Sequence, residues 1–474
     1  MRAHTSLSLP ETNFIELTDS YKVSHWKQYP PGTTKIFSFF ESRGGRFPEV
    51  TFFGLQYYLK RYLEGAVVGR TDMEDAEADF AAHFGNSELF NKEGWERIRT
   101  VHGGRLPVII RAVPEGMTVP TRNVLMTIEN TDPELPWVTN YVETLLSMLW
   151  YPTTVATQSR AMRRLVLKYL EATGSPELID FKVHDFGFRG STSVESAGIG
   201  GAAHLVSFMG TDTFQGIRVL KKYYGEAMAG FSIPAAEHST ITSWGRDNEA
   251  KAYANMLEAF PKGLVAVVSD SYDVFNATKN LWGRELYSKV VGRDGTLVVR
   301  PDSGNPPDVV MRILILLAEA FGATRNEKGY LTLNPKVRVI QGDGIDYEML
   351  ETILERMKKE GWSADNIAFG SGGGLLQKMD RDTQKFAIKC SAAEVDGVWR
   401  DVLKDPVTDP GKRSKAGRLA LVQIPSEKGP RFETMTEEMA RRYGLDNLLI
   451  PVFKDGVVLV DDSLATIRAR ATVA

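Results

Sequence analysis

Seven short apolar runs between residues 180 and 380 each end in residues able to do polar chemistry. The runs are Phe181–Val183, Leu205–Met209, Met228–Ile233, Leu264–Val268, Leu297–Val299, Val337–Ile340 and Ile367–Phe369. After the fifth stands Arg300-Pro-Asp-Ser-Gly304. An arginine offers a planar fork to oxyanions, and Asp302 can accept from sugar hydroxyls or hold hydrated Mg²⁺. An internal ion pair is the alternative. After the sixth, Asp343 lies between Gly342 and Gly344. Alone this is a turn, but its place in the series points to a sugar. After the seventh, Gly370-Ser-Gly-Gly-Gly374 allows close backbone approach, and successive N–H groups can cradle a phosphate. No Gly-Lys-Ser/Thr follows, so this is not a Walker A loop; a tight strand–helix turn is the alternative.

The earlier runs carry different chemistry. The first leads into His184-Asp-Phe-Gly-Phe-Arg-Gly190. Phe186 can stack on a flat heteroaromatic ring, and Arg189 can bind a carbonyl or a phosphate; core packing is the alternative for Phe186. The second ends in Gly210-Thr-Asp212. A carboxylate only accepts hydrogen bonds, so Asp212 would favour a neutral carboxamide over a carboxylate. The simpler reading makes Asp212 the cap of a helix beginning near Thr213. The third ends in Pro234-Ala-Ala-Glu-His238 and the fourth in Ser269-Asp270-Ser271. His238 can exchange protons or accept a phosphoryl group, unless it is structural. No H-x-x-x-H or Cys/His spacing accompanies it, so no metal centre is expected. Outside this series, Asp19-Ser-Tyr-Lys-Val-Ser-His25 opens a short helix from which Tyr21 offers an aromatic face. Lys404 to Arg418 forms a basic Pro/Gly-rich loop, able to grip polyphosphate or simply solvated.

Such clustering needs many strand ends opening on one face. Apolar runs alternate with amphipathic segments, among them Asn248–Phe260, Pro307–Phe321 and Tyr347–Lys359, which predicts strand–helix units and a parallel sheet. A (β/α) barrel gathers its carboxyl strand ends at one mouth; a doubly wound open sheet would use fewer at once. Earlier, Ile36–Phe40, Val108–Val113 and Val124–Ile128 predict strands, and Asn140–Leu149 predicts helix. From Cys390 the strand–helix rhythm stops. The expected class is α/β, with a barrel-like domain over 151–389 inserted in a mixed α+β domain built from 1–150 and 390–474.

Bulk composition narrows the function. The 474 residues carry a formal net charge of -3, which argues against a nucleic-acid or anionic-membrane binder. Hydrophobic residues at 43% and charged residues at 25% fit a soluble globular chain. Cys390 is the single cysteine, excluding an internal disulfide or a cysteine-rich zinc site. The first residues show no apolar signal core, and the longest apolar stretch, Val309–Phe321, is interrupted by Arg312 and Glu319. A cytoplasmic protein with no membrane partner is expected.

These motifs, with Thr18 to Gly32, Gly198 to His204 and Phe369 to Lys378, run in order over nearly the whole chain and resemble nicotinamide phosphoribosyltransferase, in a bacterial- or phage-type member. The resemblance implies a type II phosphoribosyltransferase of NAD salvage, a homodimer with shared active sites. Its substrates would be nicotinamide, phosphoribosyl pyrophosphate with Mg²⁺, and ATP as a coupled substrate. It implies that Phe186 and Tyr21 of the partner subunit sandwich nicotinamide, with Asp19 beside Tyr21. Asp212 would hold the amide, with Arg189 and Arg300 nearby. Asp302, Gly342 and Asp343 would bind ribose, and Gly372 and Gly373 the 5′-phosphate. Arg43, Arg381 and Lys389 would surround phosphate, with Lys404 and Lys412 near pyrophosphate or ATP. His238, with Asp270 at the neighbouring strand end, matches the family's phospho-acceptor. One position departs: Ala387 stands where a phosphate-binding serine is expected.

Overall fold

The computed structural model describes residues 12–404, 407–408, 414–427, 429 and 431–472. They form two compact units, one of the chain up to Thr154 with Asp380–Arg470, the other essentially Val155–Met379.

The first unit is built on a seven-stranded antiparallel sheet. At its centre Thr33–Ser42 pairs with Val124–Asn130 on one side and Phe386–Val395 on the other. Buried Phe37, Phe39 and Phe40 anchor that strand. The C-terminal segment thus returns to the N-terminal unit through strand pairing. The boundary expected at 389 falls inside Phe386–Val395, and the chain changes unit between Met379 and Asp380. The segment predicted as one helix, 140–149, forms two short ones, Val138–Tyr141 and Glu143–Ser147.

The second unit holds a six-stranded parallel sheet. Its spatial order is Gly210–Thr211, Val183–Asp185, Ile367–Ser371, Val337–Gln341, Asp294–Arg300 and Lys262–Val268. The two edges do not stay open. Phe231 bridges to Gly210 and Ala235 bridges to Ala266, so one irregular segment joins both edges and the sheet curls into a barrel. The run 228–233, predicted as a strand, supplies only that bridge. The run 205–209, also predicted as a strand, is the exit of the helix Val194–His204. Its Leu205, Val206 and Phe208 are apolar because they are buried. The residues 181–182 close a 3-10 turn, and the first strand starts at Val183.

Alternation along the strands builds two layers. Val265, Val267, Leu297, Val299, Val337, Val339, Ile367 and Phe369 are buried on one side. Ala266, Val298 and Ile340 cluster on the other, where Phe186, Ile233 and Ala368 pack against them. Phe186 therefore roofs the inner layer. The helices are capped by residues that directly follow the chemical motifs. Asn305 accepts from the Asp308 amide to start Pro306–Phe321, and Asp346 accepts from the Met349 amide to start Tyr347–Lys359. These caps shorten the loops after Arg300 and Gln341 to a few residues, which holds their polar groups at the strand ends.

Candidate active site

Two histidine–aspartate pairs sit at the carboxyl ends of the parallel strands. In the first, His184 Nε2 lies 3.0 Å from Asp212 Oδ1. The Ser232 hydroxyl donates to the same oxygen. In the second, His238 Nε2 lies 2.9 Å from Asp270 Oδ1, and the Ser303 hydroxyl donates to Asp270 Oδ2 at 2.6 Å. Their burial is opposite. The His184 side chain is 13% exposed and Asp212 46%, whereas His238 is 46% exposed and Asp270 6%. The first pair presents a carboxylate, the second an imidazole.

Asp212 is not a helix cap. Thr213 occupies the cap position of Phe214–Tyr223 and caps it with no side-chain bond. Burial works to raise the Asp212 pKa, but hydrogen bonds from His184 and Ser232 and the charges of His184 and Arg300 bring it below the ordinary value. It stays ionised and accepts only.

Arg300 ends its strand with Nη2 donating to the Ala236 carbonyl at 3.0 Å, while its Nε is buried with no partner among the described residues. Asp302 lies 4.0 Å from His238 Nδ1. Its pKa is raised, first by burial, then by the Asp270 and Asp343 carboxylates, against the lowering charges of Arg300 and His238. The structure thus brings Arg300, Asp302, His238, Asp270 and Asp343 into one electrostatic neighbourhood, as expected for a site meeting an anionic, hydroxyl-rich ligand. No group of three or more His, Cys, Asp or Glu suited to a metal occurs among the described residues.

Phe186 is held by its backbone, whose amide donates to the Ser371 carbonyl at 2.9 Å. Asp185, fully buried and with its pKa pushed up to about 6 by that burial, accepts from the Gly187 amide at 2.7 Å and fixes the turn. The glycines explain themselves against this ring. A Cβ on Gly370 would overlap the Phe186 ring, and one on Gly342 would stand 3.2 Å from it. Gly372 and Gly373 open the turn Gly373–Leu376, whose first amides have no acceptor within the turn. Gly374 is different: a Cβ there would meet the Ile345 carbonyl at 2.6 Å, so it serves packing. Arg189, in the short turn Phe188–Gly190, is exposed and makes no ion pair among the described residues.

Comparison with known proteins decides the family. The "Nicotinate phosphoribosyltransferase (NAPRTase) family" model matches residues 181–447, and the "Nicotinamide phosphoribosyltransferase, N-terminal domain" model matches 13–110. The chain belongs to the nicotinate phosphoribosyltransferase family. It is 52% identical to the nicotinamide phosphoribosyltransferase of Xanthomonas campestris pv. campestris over 98% of both chains. It is 31% identical to that of Acinetobacter baylyi over 97% of both. The fold is shared with nicotinate-nucleotide pyrophosphorylase of Pyrococcus furiosus, with a TM-score of 0.60 at 15% identity, covering 99% of this chain and 97% of that one. Human nicotinic acid phosphoribosyltransferase gives 0.55 at 18% identity, covering 96% and 92%.

Within this family member, six further expected site residues belong to the first unit. Asp19 accepts from the Thr144 hydroxyl at 2.8 Å, and buried Lys22 pairs with Glu143 at 2.6 Å, which anchors the helix Ser20–Lys27. Tyr21 on that helix is 58% exposed, its edge against His25. Arg43, Arg381 and Lys404 surround Lys389 electrostatically. Burial, then those cations, lowers the Lys389 pKa. An array of like charges is costly unless an anion joins it. Ala387 lies in the same strand, two residues from Lys389. Lys412 lies outside the described residues.

Two contributors escaped the sequence reading. Ser232 is one of many serines, and only the bridge at Phe231 sets it beside Asp212. His184 was visible as a rare histidine in the first motif, but nothing local showed that it faces Asp212.

Proposed function

We propose that the protein transfers the phosphoribosyl group of 5-phosphoribosyl 1-pyrophosphate to the ring nitrogen of nicotinamide, releasing nicotinamide mononucleotide and pyrophosphate in NAD salvage. The observation that carries the choice of base is the ionised, half-exposed Asp212 carboxylate at the barrel mouth. A carboxamide N–H donates to it, while a nicotinate carboxylate meets like charge. The names of the Xanthomonas and Acinetobacter relatives support the same choice.

The ring of nicotinamide stacks on Phe186. Asp302, Gly342 and Asp343 receive the ribose, and the amides of Gly372 and Gly373 the 5′-phosphate. Arg300 lies between base and donor; Arg189, Arg43, Arg381, Lys389, Lys404 and Lys412 supply positive charge to phosphates. The sugar–pyrophosphate C1–O bond loosens ahead of attack by the pyridine nitrogen, leaving an oxocarbenium-like sugar. Rate enhancement then comes from positioning and electrostatics. Mg²⁺ would arrive on the pyrophosphate and offset its charge; Asp302 and Asp343 are the carboxylates suited to its hydration shell.

His238 couples ATP to this reaction. Asp270 can only accept, so Nε2 carries the proton and the neutral ring's lone pair is on Nδ1. Nδ1 attacks the γ-phosphorus of ATP, ADP leaves, and the phosphohistidine is later hydrolysed. Its charge biases the site toward the donor-bound state. A cytoplasmic homodimer, in which Tyr21 of the partner subunit covers the base and Asp19 holds its helix, completes the proposal. Among the described residues no helix is long and apolar enough to cross a membrane.

Incubation with phosphoribosyl pyrophosphate, Mg²⁺ and either base, with and without ATP, tests it by chromatography of the mononucleotide. Product from nicotinamide, increased by ATP, is expected. Product from nicotinate alone would retain the donor site and overturn the base assignment. Sedimentation velocity checks the dimer.

A further inference from the structure

We infer that His184 and Ser232 are positioning residues that fasten one oxygen of Asp212, leaving the other for the substrate carboxamide, and that Asp212 in turn occupies two donors that would otherwise donate to a carboxylate substrate. This rests on the reading of Asp212 as the carboxamide acceptor.

Both donors meet the same atom. His184 Nε2 and the Ser232 hydroxyl are on Oδ1, and Oδ2 accepts from no described residue. The three groups come from adjacent positions in the ring: His184 from Val183–Asp185, Asp212 from the end of Gly210–Thr211, Ser232 from the joining segment. The backbone fixes their approach. The Thr211 amide donates to the Phe231 carbonyl at 3.0 Å, and the Asp212 amide to the Asp185 carbonyl at 2.9 Å. His184 can lie across its strand neighbour only because that neighbour is Gly210, where a Cβ would stand 2.8 Å from Nδ1.

A free carboxylate rotates, and Arg300 exerts a pull on this one. Two donors on Oδ1 oppose that rotation. They also matter for discrimination. An unoccupied Nε2–H and hydroxyl at this place would be good partners for nicotinate. With Asp212 present they are already used, so nicotinate meets the carboxylate in place of these two donors.

The test compares kcat/KM for both bases in the full-length enzyme. His184→Leu should lower kcat/KM for nicotinamide about tenfold, mainly through KM, the loss of one charge-assisted hydrogen bond. His184→Gln, which keeps a donor near Nε2, should recover most of it. Asp212→Ser should raise the nicotinate value about tenfold by freeing the donors, and Asp212→Ser/His184→Leu should abolish that gain. A full nicotinate gain in the double variant, or an unchanged nicotinamide KM in His184→Leu, overturns the inference while leaving the role of Asp212 intact. An unchanged preference in Asp212→Ser overturns that role itself. If His184→Leu fails to fold, Ser232→Ala, which removes only an exposed hydroxyl, carries the same comparison.

Discussion

The two histidine–aspartate pairs use the same two side chains in opposite senses. At the first strand ends the histidine is buried and serves an exposed carboxylate; at the third and fourth the carboxylate is buried and serves an exposed imidazole. A hydrogen-bonded pair presents whichever member solvent reaches. The buried member sets its partner's orientation and proton. One barrel mouth thereby presents an acceptor-only carboxylate and, across the segment that joins the two sheet edges, an exposed imidazole.

Variants can sharpen or break this contrast. The largest effect is expected from Gly370→Ala, which forces the Phe186 ring from its place beside His184. Loss of kcat/KM with nicotinamide should exceed about 100-fold, with a stability cost of about 1–3 kcal/mol from overpacking. Steady-state kinetics beside thermal unfolding measure both. Next, Asp212→Ser should reduce kcat/KM with nicotinamide about 100-fold, because the amide loses its charged acceptor. Equal losses for both bases would remove the contrast, making Asp212 a structural group.

A smaller effect separates the second pair. Asp270→Asn presents an amide that can donate to Nε2, favouring the wrong tautomer. ATP stimulation should fall about tenfold, with retention of radiolabelled phosphate on the protein falling in parallel. Undiminished labelling would show that Asp270 does not direct the proton on His238.

A third histidine, buried with no ligand-facing role, is the control. His204 Nδ1 is 3.0 Å from the Ser159 hydroxyl and Nε2 is 3.2 Å from the Val183 carbonyl, with burial pulling its pKa down to about 3. The folded state then binds fewer protons than the unfolded chain, whose histidine titrates near 6.5. Stability is complete above that value and lost as pH falls toward about 3. Urea unfolding between pH 7 and about 5 should show the early part of this loss, about 1–2 kcal/mol. A flat profile would contradict it.

Much of this was legible in the sequence because strand ends carry their chemistry in short motifs. The helices Pro306–Phe321 and Tyr347–Lys359 matched their predicted spans to within a residue, since period, caps and glycine stops agree there. The runs 205–209 and 228–233 misled because apolar composition reports burial rather than strand geometry. Asp212 looked like a cap because a cap is local; its true partners, 28 and 20 residues away, are set by strand pairing and by barrel closure. The Gly370 requirement was equally hidden, since the ring above it comes from another strand's loop.

The most direct test of the central claim is a competition. Equal concentrations of nicotinamide and nicotinate are offered to the enzyme with limiting phosphoribosyl pyrophosphate, and the ratio of the two mononucleotides is read by mass spectrometry. The account predicts nicotinamide mononucleotide in excess by about 100-fold or more, the discrimination expected when one base hydrogen-bonds a charged acceptor and the other faces it unpaired. Nicotinate mononucleotide as the major product would contradict it.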